Sequence, residues 1–241
     1  MKPHQRTTIQ ELIKKKVLNS DDFIEKLRAG NAGMLLIGNI WCFDYAISHL
    51  PSDSPIVEIG SFSGLSTNLI IYLKSKYKQE NKVICSDPWD FNAGHPEEKI
   101  ADHPYLTCQD YSNYIKENFI RNVLFFSKHD LPYAIESNSD TFFKYWEKGE
   151  VVQDIFERSI KLGESISFAY IDGNHSYDYA ARDFENVDRY LEIDGFILFD
   201  DSSDKSDSEV CKLMEEIIES NRYEVIKKAP NYLVKKLSHK K

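Results

Sequence analysis

The stretch "ISFAYIDGNHSYDYAARDFENVDRYLEIDGFILFDD", residues 166–201, constrains the fold most. Its two apolar runs, "ISFAYI" and "GFILF", are nearly continuous rather than alternating, so both faces of each strand must be covered. Between them, Tyr177 to Leu191 place Ala180, Phe184, Val187 and Leu191 on one face at helical spacing. Strand, helix and strand in this order imply parallel strands joined by a crossover helix. The same rhythm precedes it: "PIVEIG" reads as a strand, "GLSTNLIIYLKSKY" as a helix, "KVICSD" as a strand, "DYSNYIKENFI" as a helix and "NVLFFS" as a third strand. "YEVIKKAPNYLVKKL" closes the chain as a hairpin turned at Ala229-Pro230-Asn231. The expectation is α/β: a doubly wound, mainly parallel seven-stranded sheet with an antiparallel last strand.

Two segments stand outside that rhythm. Residues 1–54 read as a helical cap, with helices over "TIQELIKKKVL", "SDDFIEKLRAG" (capped by Ser20 or Asp21) and "IGNIWCFDYAISHL". Pro51 to Pro55 then break the chain, and residues 55–241 form the main domain. An insertion is expected around 131–165, with helical stretches at "TFFKYWEK" and "VVQDIFERSIKL".

Net charge is −9, from 30 Lys and Arg against 39 Asp and Glu, which argues against nucleic acid or an anionic membrane as partner. Cys42, Cys85, Cys108 and Cys211 are far apart, with no C-x-x-C pair, which suits reduced thiols. The N-terminus lacks the apolar core of a signal peptide, and no apolar run approaches the length of a membrane span. The expected setting is cytoplasmic, with a small-molecule substrate and a possible homo-oligomer.

The first strand runs into "VEIGSFSGLS", where Gly60 and Gly64 bracket a tight turn into a helix. Ligands of such sheets bind at the carboxyl ends of the strands. A dinucleotide turn has a glycine where Phe62 stands, and the charge of Glu58 repels phosphates. An adenosine ligand with a positive charge and no phosphate fits better. Asp87 ends the second strand, where an acid can take ribose hydroxyls.

"VEIGSFSGLS" resembles the first motif of cation-dependent class I O-methyltransferases, Phe62 included. Residues 170–201 are similar to the family of macrocin-type sugar O-methyltransferases and cephalosporin-hydroxylase-like proteins. There an Asp-Gly-x-His-x-Tyr motif follows the fourth strand and an Asp-Asp pair the fifth. The resemblance covers roughly residues 55 to 202 and implies a Rossmann-like fold binding S-adenosyl-L-methionine (SAM). The expected cofactor residues are Glu58, Gly60, Ser61, Phe62, Gly64, Ser66, Asp87, Asp172 and His129, the last near the adenine.

Asp172, Asp200 and Asp201 fall at the tips of neighbouring strands, where like charges repel unless a cation sits among them. Oxygen ligands of this kind suit Mg²⁺, with Mn²⁺ or Ca²⁺ as substitutes. The resemblance implies the same three positions as metal ligands, with Asp90 as an additional acid. His175 is the expected general base: its ordinary pKa of about 6.5 suits the task, and it lies beside a proposed ligand. The expected reaction is methyl transfer from SAM to a hydroxyl of a small molecule, preferably a sugar or a glycosylated natural product. A metal-dependent hydrolase, or a hydroxylase-like protein on the same fold, is the alternative.

Overall fold

The computed structural model describes residues 21–91, 95–204 and 209–239. The expected helix at "TIQELIKKKVL" lies outside the described residues.

Strands β1 (Ile56–Ile59), β2 (Val83–Ser86) and β6 (Ile166–Ile171) are buried at every position, as continuous apolar runs require. With β3 (Tyr133–Ile135), β7 (Leu191–Phe199), β8 (Tyr223–Lys228) and β9 (Tyr232–Lys236) they form one seven-stranded sheet in the order β3-β2-β1-β6-β7-β9-β8. The pairings from β3 to β7 are parallel, and β9, the last strand, runs antiparallel to both β7 and β8. Strand order reverses between β1 and β6, and in open α/β sheets ligands bind at the carboxyl ends of the strands beside such a reversal.

Helices cover both faces. On one lie α1 (Asp22–Gly30), α2 (Ile37–Ser48), α3 (Leu65–Lys76) and α4 (Cys108–Phe126), all sharing one apolar cluster with β1, β2 and β6. Phe43 of α2 packs its ring against Phe168 and Tyr170 of β6, at 5.8 and 4.8 Å between centroids. Asp21 caps α1. On the other face lie α5 (Ser139–Lys148), α6 (Tyr177–Tyr190) and α7 (Val210–Glu219). No described helix is long and apolar enough to cross a membrane.

Two expectations are corrected. "NVLFFS" is not a strand but the last turns of α4, because Phe119 and Val123 continue the buried stripe begun at Ile115. The third strand is the shorter "YAI", paired with β2. "VVQDIFERSIKL" is not helical either: it forms a hairpin of β4 (Val151–Gln153) and β5 (Ser159–Lys161). Asp154 organises its turn, accepting from the backbone of Phe156 and Arg158, and the Arg158 guanidinium stacks over Tyr133 at 4.4 Å.

One buried acid serves no such turn. Asp183, on the inner face of α6, is only 2% exposed, and its Oδ1 has no partner among the described residues. Burial pushes its carboxyl from 3.8 up to about 6. A raised folded-state value means the neutral acid is tolerated and the ionised one opposes folding as pH rises. Asp183→Asn should therefore stabilise the fold by about 3 kcal/mol at pH 8, with the gain gone below about pH 4. Denaturant unfolding at both pH values measures this, and an equal effect at the two would refute it.

Candidate functional site

The carboxyl ends of β2, β1, β6 and β7 lie side by side, which brings the glycine turn, Asp87, the Asp172–His175 loop and the Asp200–Asp201 pair to one edge of the sheet.

The turn is tightly specified. Gly60 sits at φ +82°, and a Cβ there would lie 2.0 Å from the backbone oxygen of Asp172. Only glycine permits this approach, which draws the β1 and β6 tips together. Gly64 opens α3 from a left-handed conformation. Phe62 is also left-handed, at φ +46°, and packs edge-on against Phe91.

Asp87 takes a role the sequence reading did not assign. Its Oδ2 accepts from the Ser61 and Phe62 N–H groups (2.8 and 2.9 Å), and its Oδ1 from the Trp89 N–H (2.7 Å). Those three backbone donors offset the burial that raises its pKa. Asp87 therefore clamps the turn rather than standing open to ribose hydroxyls. Glu58 is likewise corrected. It is fully buried beneath the turn, where its Oε2 accepts from Ser61, Thr67 and Cys85, and burial raises its pKa. Ser66 is buried near Glu58 and offsets part of the burial that raises its pKa. Glu58 supports the turn from below and does not present its charge to a ligand.

His129 lies elsewhere. It follows the end of α4 and precedes β3, at the amino-terminal edge of the sheet; its neighbour Asp130 pairs with Lys74 in the last turn of α3 at 2.6 Å. The expected place near adenine depended on reading "NVLFFS" as a strand. Among the aromatic residues, Phe43, Trp89, Phe142, Phe143 and Trp146 are core, whereas Phe91 is 39% exposed beside the turn.

At the β6 and β7 tips the acids meet an imidazole. His175 Nδ1 lies 2.6 Å from Asp201 Oδ2, and its Nε2 lies 3.4 Å from Asp172 Oδ1. The bond to Asp172, with the charge of Asp201, raises the His175 pKa despite partial burial. Asp172 also accepts from the Tyr170 hydroxyl at 3.0 Å, and burial lifts its own carboxyl to about 7. Asp200 is buried, and its Oδ1 accepts from the side-chain amides of Asn39 (2.5 Å) and Asn231 (2.7 Å). Burial and the neighbouring Asp201 raise the pKa of Asp200.

Asn39, on α2, and Asn231, at the hairpin turn, were not picked out by the sequence reading. An amide carries no chemical signature until the fold delivers it to a carboxylate. The expected metal set does not fit these side chains as they stand: among the described residues no group of three or more acids, histidines or cysteines is arranged to hold an ion. Asp200 Oδ1 is taken by two amides, and Asp172 and Asp201 face His175. Asp90 is exposed on the loop beyond β2. The cationic partner found among these acids is the imidazole.

A family model described as a methyltransferase domain matches residues 57–202, from β1 to just past the Asp200–Asp201 pair. The chain belongs to the methyltransferase-domain family. No curated protein matches it. Among solved structures, it is similar to the O-methyltransferase NovP, at 14% identity and a TM-score of 0.56, covering 95% of this chain and 98% of that one. It is similar to TomG of Streptomyces achromogenes, an O-methyltransferase of tomaymycin synthesis solved with SAM (9% identity, TM-score 0.56, covering 99% and 100%). A third is an O-methyltransferase from Bacillus cereus in complex with SAH (12% identity, TM-score 0.51, covering 96% and 98%). At such identities the likeness is one of fold. Within this methyltransferase domain, the matched span holds the glycine turn, Asp87, Asp172, His175, Asp200 and Asp201, while Asn39 and Asn231 lie outside it.

Proposed function

We propose that this methyltransferase domain transfers a methyl group from SAM to a hydroxyl of a small molecule, with a sugar or a glycosylated natural product preferred. The observation that carries the reading is the closure of the Gly60 turn onto the Asp172 backbone, beside an imidazole held between two carboxylates. The left-handed Gly60 backs onto the Asp172 carbonyl and so sets the shape of the turn, and Gly60, Ser61, Phe62 and Gly64 would hold the cofactor. SAM bound there supplies an electrophilic methyl group.

The chain's own residues supply the rest. A hydroxyl nucleophile must be aligned and lose its proton. The short contact between Nδ1 and Asp201 orients the ring and holds a proton on Nδ1, and Nε2 takes the proton of the acceptor hydroxyl once that hydroxyl replaces its 3.4 Å contact with Asp172 Oδ1. The Asp200 carboxylate, held by two amides, keeps a fixed orientation at the adjoining tip. The sugar preference rests on the resemblance of residues 170–201 to the macrocin-type enzymes.

Calorimetry with SAM and with S-adenosylhomocysteine (SAH) tests the reading. Saturable binding of both, with none of NAD, is expected; NAD binding without SAM binding would overturn it. Transfer measured in EDTA, and again with Mg²⁺ restored, tests the cation requirement that the resemblance implies.

A further inference from the structure

The back of the glycine turn is held by a chain of amides that the site described above does not use. The Ser63 backbone oxygen accepts from two side chains: Asn31 Nδ2 at 2.9 Å and Asn122 Nδ2 at 2.8 Å. Asn31 ends α1 and Asn122 lies on α4, so the donors come from opposite ends of the covering layer's sequence. Asn31 Oδ1 in turn accepts from Asn68 of α3 at 2.8 Å, and Asn68 Oδ1 accepts from the Ser127 hydroxyl at 2.5 Å. Asn31, Asn68 and Ser127 are all buried.

One donor satisfies a buried carbonyl, yet this one has two, drawn from separate helices. The turn's other side is held as firmly, through Asp87 on the Ser61 and Phe62 N–H groups and the Trp89 indole on the Phe62 oxygen (2.9 Å). Between these two grips stands Phe62, a bulky residue in the left-handed region. Such a conformation persists only where the surroundings over-determine it. The amide chain supplies that constraint from behind.

We propose that Asn31 and Asn122 are positioning residues for the cofactor. By gripping the Ser63 carbonyl they hold the turn in the shape that receives SAM, and through Asn31 the N-terminal helices become part of the cofactor site. This rests on the proposed SAM binding, so the test separates the two ideas. Wild type is first titrated with SAH; absence of binding would defeat the functional reading itself.

With binding established, Asn122→Ala should weaken SAH affinity about tenfold, the scale of one lost hydrogen bond to a buried group. It should still fold, because Asn122 is only half-buried and alanine favours helix. Asn31→Ser should do the same. The double variant should lose more than the product of the two, because the Ser63 carbonyl then has neither donor. A spectroscopic signature separates positioning from bulk destabilisation. The indole N–H resonance of Trp89, bonded to the Phe62 oxygen, should shift in Asn122→Ala. That of Trp146, bonded to the Glu164 oxygen in the opposite layer, should not. Asn113→Ala, an exposed change on the same helix, should alter neither affinity nor resonance. The proposal is overturned if folded Asn122→Ala binds SAH within twofold of wild type with the Trp89 resonance unmoved.

Discussion

Gly60→Ala is expected to abolish SAM and SAH binding while leaving much of the fold in place. Two effects add. The left-handed backbone at φ +82° costs an alanine about 1–2 kcal/mol. The new Cβ would also lie 2.0 Å from the Asp172 carbonyl, and that oxygen cannot swing away as a flexible side chain would. Asp172 is tied to β1 through its own N–H, which donates to the Ile59 oxygen at 2.8 Å. The turn must therefore move off the β6 tip, and with it the surface that meets the cofactor. A loss of about 3 kcal/mol, on the order of 100-fold in affinity, is the expected minimum. Gly149→Ala is the contrasting case: φ is +63°, but the nearest atom is 3.8 Å from the added Cβ. It should lower the melting temperature slightly and leave SAH affinity unchanged. Folded Gly60→Ala with wild-type affinity would refute the closure as the basis of binding.

The sheet was readable in the sequence because its strands are unambiguous. "IVEI", "VICS" and "ISFAYI" are too short for helices, too apolar for surface and bounded by turns. The failures come where composition and environment disagree. "NVLFFS" has strand-forming residues, yet Leu124 and Phe125 are 47% and 74% exposed on a helix whose register is fixed upstream by Ile115 and Phe119. "VVQDIFERSIKL" has helical spacing, but Asp154 closes it into a hairpin through the Arg158 backbone, and Arg158 anchors that hairpin on the Tyr133 ring of β3 and the Leu131 oxygen just before it. Helix α7 is absent from the sequence reading, although Val210, Leu213, Met214 and Ile217 have a clear helical period.

The site divides along similar lines. Gly60, Asp172, His175, Asp200 and Asp201 could be found because their residue types are costly or unusual at strand tips. The inward turn of Glu58 and Asp87 could not, because a carboxylate at a strand end reads the same whether it faces ligand or backbone donors. Asn31, Asn39, Asn122 and Asn231 were invisible for a related reason. Their roles arise only when helices and hairpin bring amides to buried oxygens from far along the chain.

His175→Ala should lower kcat by roughly 10²–10⁴ at saturating SAM and acceptor, the usual contribution of a general base. The acids around the imidazole determine the pH dependence. Because Asp172 and Asp201 favour the imidazolium, the neutral base form appears only above the ordinary histidine value of about 6.5. The wild-type rate should rise with pH through that elevated ionisation, and His175→Ala should lack it. Asp201→Asn removes the charge against Nδ1, so its inflection should move back to lower pH while the ring keeps a hydrogen-bond partner. Stability follows the opposite course. A folded-state pKa above the unfolded one stabilises fully below about pH 6.5, and the contribution is lost as pH rises through the folded value. His175→Ala should therefore lose more stability at pH 6 than at pH 9, although the half-exposed ring keeps that difference small. A base and a loop brace are then distinguishable. The brace predicts reduced stability at low pH with kcat within about threefold of wild type, whereas the base predicts a deep loss of kcat even at pH 9, where the ion pairs contribute nothing to the fold.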